Sequence, residues 1–84
     1  MNLAQILSIA RTRRQLPAPH LRRLIRRRSG VTQQEMALLL GVSRPSVTRW
    51  ETGSRTPRGE VLGRYVELLE ILAEEADRAP APFR

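Results

Sequence analysis

"GVSRPSVTRWETG", residues 41–53, opens and closes on glycine and holds its chemistry between them. Ser43 is of the type that caps a helix amino terminus, and Pro45 falls in the first turn, where a missing N–H does no harm. Val47 and Trp50 stand three apart, so they share one side of the predicted helix. Arg44, Ser46, Thr48 and Arg49 take the other positions. A short helix that hides a valine and a tryptophan, and shows two guanidiniums and two hydroxyls, is suited to meeting an anionic, hydrogen-bonding surface.

The segment just before it, "TQQEMALLLG", begins with a Thr32–Glu35 capping box and stops at Gly41. The spacing therefore predicts two short helices, 32–40 and 43–51, joined by a tight glycine turn. That is the helix-turn-helix arrangement, in which one helix braces and the next enters the DNA major groove. Ala37 is small where the two helices cross. Gly41 supplies a left-handed turn conformation that a residue with a Cβ avoids. Met36, Leu40, Val42, Val47 and Trp50 are spaced to face one core.

Outward from this pair the chain reads as all-α, with about five helices and no strand signal. "NLAQILSIARTRR" has Leu3, Ile6, Leu7 and Ala10 at helical spacing and an Asn2–Gln5 capping box. The proline pair in Leu16–Pro19 breaks the chain. "PHLRRLIRRRSG" then predicts a helix burying Leu21, Leu24 and Ile25 and turning Arg22, Arg23, Arg26 and Arg27 to solvent, closed by Gly30. Thr56 is expected to cap a last long helix with Pro57 in its first position. Val61, Leu62, Tyr65, Val66, Leu69 and Leu72 form its apolar face, and it runs to about Asp77. The expected organisation is a helical extension over 1–16, a DNA-binding domain over 17–77, and a frayed tail over 78–84.

Eighty-four residues support one small core. There is no cysteine, and the single histidine, His20, lacks partners for metal binding or general-base work. The longest apolar run falls short of a membrane span, and the start lacks the order of a signal peptide, so the expected location is cytoplasmic, associated with the nucleoid. All fifteen basic residues are arginine. Residues 1–58 hold twelve arginines against Glu35 and Glu51, while 59–84 hold three against six carboxylates. A basic body with an acidic end is the electrostatic footprint of a nucleic-acid binder; the plainer alternative is a solvated face that keeps a small protein dissolved.

"TQQEMALLLGVSRPSVTRWETGSRTPRGEVL", residues 32–62, resembles the Cro and lambda-repressor-like helix-turn-helix domain, also called the xenobiotic-response-element type. The resemblance spans about residues 20–72. It rests on "TQ-E-A" at the second helix of that domain, "GVS" at the turn, "S-V-RWE-G" in the recognition helix and "TP" before the last. It implies a compact all-α DNA-binding domain acting as a transcriptional regulator on an inverted repeat. The helix over 2–14 lies outside the family pattern, and the unbroken last helix departs from it.

A recognition helix leads into the groove with its amino-terminal residues. Arg44, Pro45, Ser46, Thr48 and Arg49 are therefore the candidate base-contacting residues. Arginine can reach guanine O6 and N7 together, and the Thr48 methyl can touch thymine. The alternative for Arg44 and Arg49 is phosphate contact alone. Trp50 belongs to the core rather than to a base stack. Gln33 lies at a helix amino terminus that favours phosphate, and the resemblance implies that it spans phosphate and recognition helix. Thr32, Gln34, Ser43, Arg55 and Thr56 join it as candidate phosphate contacts, with Arg27 and Arg28 chosen from "LRRLIRRR"; Arg22 and Arg23 are left as solvated. Glu51 is assigned to structure, pairing with an arginine of a preceding helix.

One recognition helix covers about half of an operator, so a homodimer is expected. Leu62, Leu69 and Ala76 recur every seven residues, with Tyr65, Val66 and Leu72 between them, and form the candidate dimer surface unless they complete the monomer core. The expected function is a homodimeric transcriptional repressor of double-stranded DNA, with no cofactor and no metal, regulated by its own concentration or a protein partner. An alternative is an antitoxin-like protein whose first helix or acidic end binds a toxin while the domain controls its own operon. A third is a DNA-bending accessory factor. No nucleophile–base set, metal cluster or phosphate loop points to an enzyme.

Overall fold

Capping side chains and left-handed glycines set most of the helix boundaries. The computed structural model describes residues 1–78; residues 79–84, most of the expected tail, lie outside the described residues. The helices are α1 (Leu3–Gln15), α2 (Pro19–Arg28), α3 (Gln33–Leu40), α4 (Arg44–Thr52) and α5 (Glu60–Arg78). Asn2 and Gln5 form a reciprocal capping box on α1, and Thr32 and Glu35 form another on α3. Pro19 occupies the first turn of α2. Gly41 ends α3 at φ +68° and Gly53 ends α4 at φ +80°, values that L side chains resist.

The last helix departs from expectation. It begins at Glu60, not at Pro57, because Gly59 adopts φ +64° and a left-handed residue cannot continue a right-handed helix. Thr56 is thus a loop residue, and Pro57 is packed inside. At the other end, Arg78 is still helical.

The core is built from Met36, Ala37 and Leu40 of α3, Val47 and Trp50 of α4, and Tyr65 and Leu69 of α5. Val42 packs against its edge. The Trp50 and Tyr65 rings meet at a centroid distance of 5.0 Å with planes tilted by 39°, within the range where aromatic pairs attract. α5 therefore lies against the back of the helix-turn-helix pair, and α2 packs on both α4 and α5.

The face assigned to α2 requires correction. Leu21 and Leu24 are exposed, whereas Arg22 and Arg26 are only 8% and 7% exposed. The inward face is Arg22, Ile25, Arg26 and Ser29, turned by one residue from the leucine stripe. What turns it is the supply of acceptors. The last carbonyls of α4 and of the loops have no helical partners, and the two guanidiniums satisfy several of them. Arg22 Nε donates to Pro17 O at 2.7 Å and its Nη1 to Trp50 O at 2.9 Å. Burial lowers the Arg22 pKa, with the Tyr65 hydroxyl acting against it.

The face of α5 expected to pair two copies is covered by the chain itself. Leu62, Tyr65, Val66, Leu69 and Ala76 are buried within the chain and Leu72 is half-buried, because α1, α2 and the helix-turn-helix pair all pack against α5. A surface closed by the chain itself is not free for a second copy. α1 rests on α5; its Ile9 and Thr12, and Leu16 just beyond it, are half-buried, while Leu3, Ile6 and Leu7 stay exposed.

Tyr65 generates a test. Its hydroxyl is buried without a hydrogen-bond partner among the described residues, and burial, with Glu51 nearby, pushes its pKa up. Lysine and cysteine are absent and there is one tyrosine, so Tyr65 is the side chain whose ordinary pKa lies between about pH 9 and 12. The unfolded chain loses the Tyr65 proton above about pH 10, while the folded chain keeps it. Stability should fall above that point by about 1.4 kcal/mol per pH unit. Denaturant titrations should show Tyr65→Phe at least as stable at pH 7 and with the alkaline decline removed.

Candidate nucleic-acid interface

The buried end of the site is an ion pair. Arg26 Nε donates to Glu51 Oε2 at 2.6 Å and Nη2 donates to Oε1 at 3.0 Å, a two-pronged pairing of α2 with α4. Arg26 Nη1 also donates to Val31 O at 2.9 Å, holding the loop before α3. Glu51 is 5% exposed and keeps one further acceptor direction. Gln33 Nε2 fills it, donating to Glu51 Oε1 at 3.1 Å. The expected pairing of Glu51 with an arginine is present, and the partner is Arg26, which the sequence pattern turned to solvent.

Gln33 carries the network outward. With its amide nitrogen held by Glu51, its Oε1 must face α4. There it accepts from Thr48 Oγ1 at 3.0 Å and from Arg44 Nε at 3.4 Å. Each contact orients the next, from a charge pair in the interior to the tip of the recognition helix. Arg44 Nε is engaged, which leaves the two terminal nitrogens of the guanidinium to point onward.

Four of the five candidate base-contacting residues share one flank of α4, and Ser46 lines the depression on the other side, toward the following loop. Arg44, Pro45, Thr48 and Arg49 are exposed and, with Gln33, line one shallow depression of about 480 Å³. Ser46 is half-buried, and its hydroxyl lies 3.0 Å from that of Ser43, the α4 cap. Trp50 is buried against Tyr65 and is withdrawn from any base stack.

Beside this depression lies a second, of about 500 Å³, between α4 and the loop that follows. Arg49, Ser54, Arg55, Thr56 and Arg58 line it, so Arg49 borders both. The α4 end is closed by its own loop: Arg49 O accepts from Arg55 N and from the Thr52 and Ser54 hydroxyls. Arg58 was missed in the sequence; its signal was its place, three residues beyond Arg55 in a loop after the recognition helix.

The remaining candidates are more scattered. Thr32 and Ser43 act as caps, accepting from Glu35 N and Ser46 N at 3.1 and 3.4 Å. Gln34 and Arg28 are exposed. Arg27 borders a depression with His20, Arg23, Leu24, Glu51 and Thr52, near the end of α4. Arg22, left as solvated, is instead a buried strut.

An exposed polar flank on the second helix of a braced, glycine-turned pair, with arginines along it and its loop, defines a DNA-binding helix-turn-helix protein. The helix-turn-helix family matches residues 23–75, and the chain belongs to that family, in its Cro-type, lambda-repressor-like branch. It is accordingly a DNA-binding transcription regulator. No curated protein and no solved structure matches the chain. Among the described residues, no helix is long and apolar enough to cross a membrane.

The buried pair predicts an unusual pattern of stability. Removing one partner, as in Glu51→Leu or Arg26→Met, leaves the other charge buried and should cost about 3–5 kcal/mol. The double variant Arg26→Met/Glu51→Leu should recover most of that loss. Thermal melting of the two single variants and the double reads the coupling directly.

Proposed function

We propose that the chain is a homodimeric transcriptional repressor that reads an inverted repeat, with Arg44 as its leading base-contacting residue. The observation that carries this reading is the Gln33 bridge, which ties Arg44 and Thr48 to the interior through Glu51. A flexible surface arginine pays rotamer entropy on binding. One held through Nε meets the groove partly ordered, with its paired nitrogens available to guanine O6 and N7. Thr48 offers its methyl to thymine, and Arg49 follows one turn behind Arg44 on the same flank. The cleft bearing Arg55 and Arg58 takes a backbone phosphate, setting register without reading sequence.

A single recognition helix reads about half of a typical operator, so two chains meet two half-sites about 10–10.5 base pairs apart, or a multiple of that. The arginine excess in residues 1–58 makes the affinity strongly salt-dependent through counterion release.

Two variants separate reading from anchoring. Arg44→Ala should cost about 1–3 kcal/mol on a selected site and relax preference at one position of each half-site. Arg55→Ala should weaken matched and scrambled DNA alike and lower the salt slope by about one unit per half-site. A uniform loss for Arg44→Ala, with its base preference intact, would remove Arg44 from the reading role.

A further inference from the structure

We propose that the outward side of α1 is the surface through which two copies of this chain pair, each laying Leu3, Ile6 and Leu7 on the outer face of the other copy's α5 around Ile71. The inference rests on the homodimer reading and names its surface. Leu3, Ile6 and Leu7 are 71%, 51% and 45% exposed. They stand at i, i+3 and i+4, so they form one patch rather than scattered points. α1 is already packed on α5 of its own chain, and on the side opposite the patch Ile9, Thr12 and Leu16 are half-buried. The patch is thus presented on a seated helix, which lowers the ordering cost of using it.

Charge identifies the occupant. Beyond its apolar turns α1 carries Arg11, Arg13 and Arg14 and no acidic residue. None of these arginines has an ion-pair partner among the described residues. The outer face of α5 is the opposite: Glu67, Glu70 and Glu74 are exposed around Ile71, which is 49% exposed, and they too lack ion-pair partners there. These four residues fall on one helical face. An apolar stripe running into cations matches an apolar residue ringed by carboxylates. Because both surfaces belong to one chain, a two-fold axis makes the contact twice. Phosphate repels the acidic face, so pairing there leaves the recognition helices to the DNA. Burial of the apolar residues supplies most of the attraction, and the charges set partner and orientation.

The experiment is the molar mass of the full chain by sedimentation equilibrium, with folding checked by thermal melting and DNA binding measured on single and paired half-sites. Wild type should reach twice the 9.6 kDa chain mass. Leu7→Glu, at an exposed helical position, should be a folded monomer that binds a half-site as wild type does but loses cooperative binding to the pair. The triple reversals Arg11→Glu/Arg13→Glu/Arg14→Glu and Glu67→Arg/Glu70→Arg/Glu74→Arg should each be monomeric, and an equimolar mixture of the two should form a heterodimer. If wild type is dimeric and Leu7→Glu remains so, or if the two reversed variants fail to join, this surface is refuted while the dimeric reading stands. A wild type that is monomeric both free and on paired half-sites, including one whose stripe takes up a different protein, overturns both. Loss of half-site binding in wild type would instead refute the DNA reading.

Discussion

Two opposite charges with almost no access to water, Arg26 on α2 and Glu51 on α4, are the constraint on which the rest of the arrangement depends. Such a pair gains little over well-packed apolar residues, since desolvation offsets much of its attraction. Its value lies in direction. A guanidinium fork on a carboxylate admits few relative positions of two helices, and Arg26 adds a third bond to the loop before α3. With three segments referred to one side chain, the free edge of Glu51 can hold only a donor from α3, and Gln33 is there. The pose of Arg44 and Thr48 follows from that, so the outer chemistry is an extension of the inner packing.

Arg22 extends the same logic within the last turn of α4. Its guanidinium binds the Trp50 carbonyl near the carboxy terminus of the helix, where cations are favoured. Its other bond reaches Pro17, in the segment between α1 and α2. Pro19 closes the gap from the other side, since a Cβ on Gly53 would stand 3.1 Å from its Cγ. The carboxy-terminal turn of the recognition helix is therefore held by residues that belong to α2 and its approach.

Local chemistry was the legible part of the sequence. The capping pairs at Asn2 and Thr32, the cap at Ser43, the left-handed Gly41 and the burial of Val47 with Trp50 depend on neighbours within a few residues, and the periodicity contained them. The inward turn of Arg22 and Arg26 was not legible, because periodicity assigns arginine to solvent; only the acceptors of α4, 25 and 28 residues away, reverse that assignment. The same holds for α5. Its apolar face was read correctly as a face, but whether the chain or a second copy covers it depends on where α1 and α2 lie. Gly59 was a missed signal of another kind, a turn residue passed over because Thr56 and Pro57 together imitate a helix start. In the site, the flank of α4 could be read from spacing, whereas the role of Gln33 as a link from Glu51 to Arg44 required α3 and α4 in place.

The central claim is that an interior ion pair sets how the recognition helix reads DNA. It is tested most directly by selecting bound sites from random double-stranded DNA with wild type and with the folded Arg26→Met/Glu51→Leu variant. Wild type should yield a sharp, two-fold symmetric motif. The variant should yield a motif that keeps its half-site spacing but loses information at the positions read by Arg44 and Thr48, because Gln33 no longer has its anchor. Equally sharp motifs from both proteins would contradict a role of the ion pair in reading.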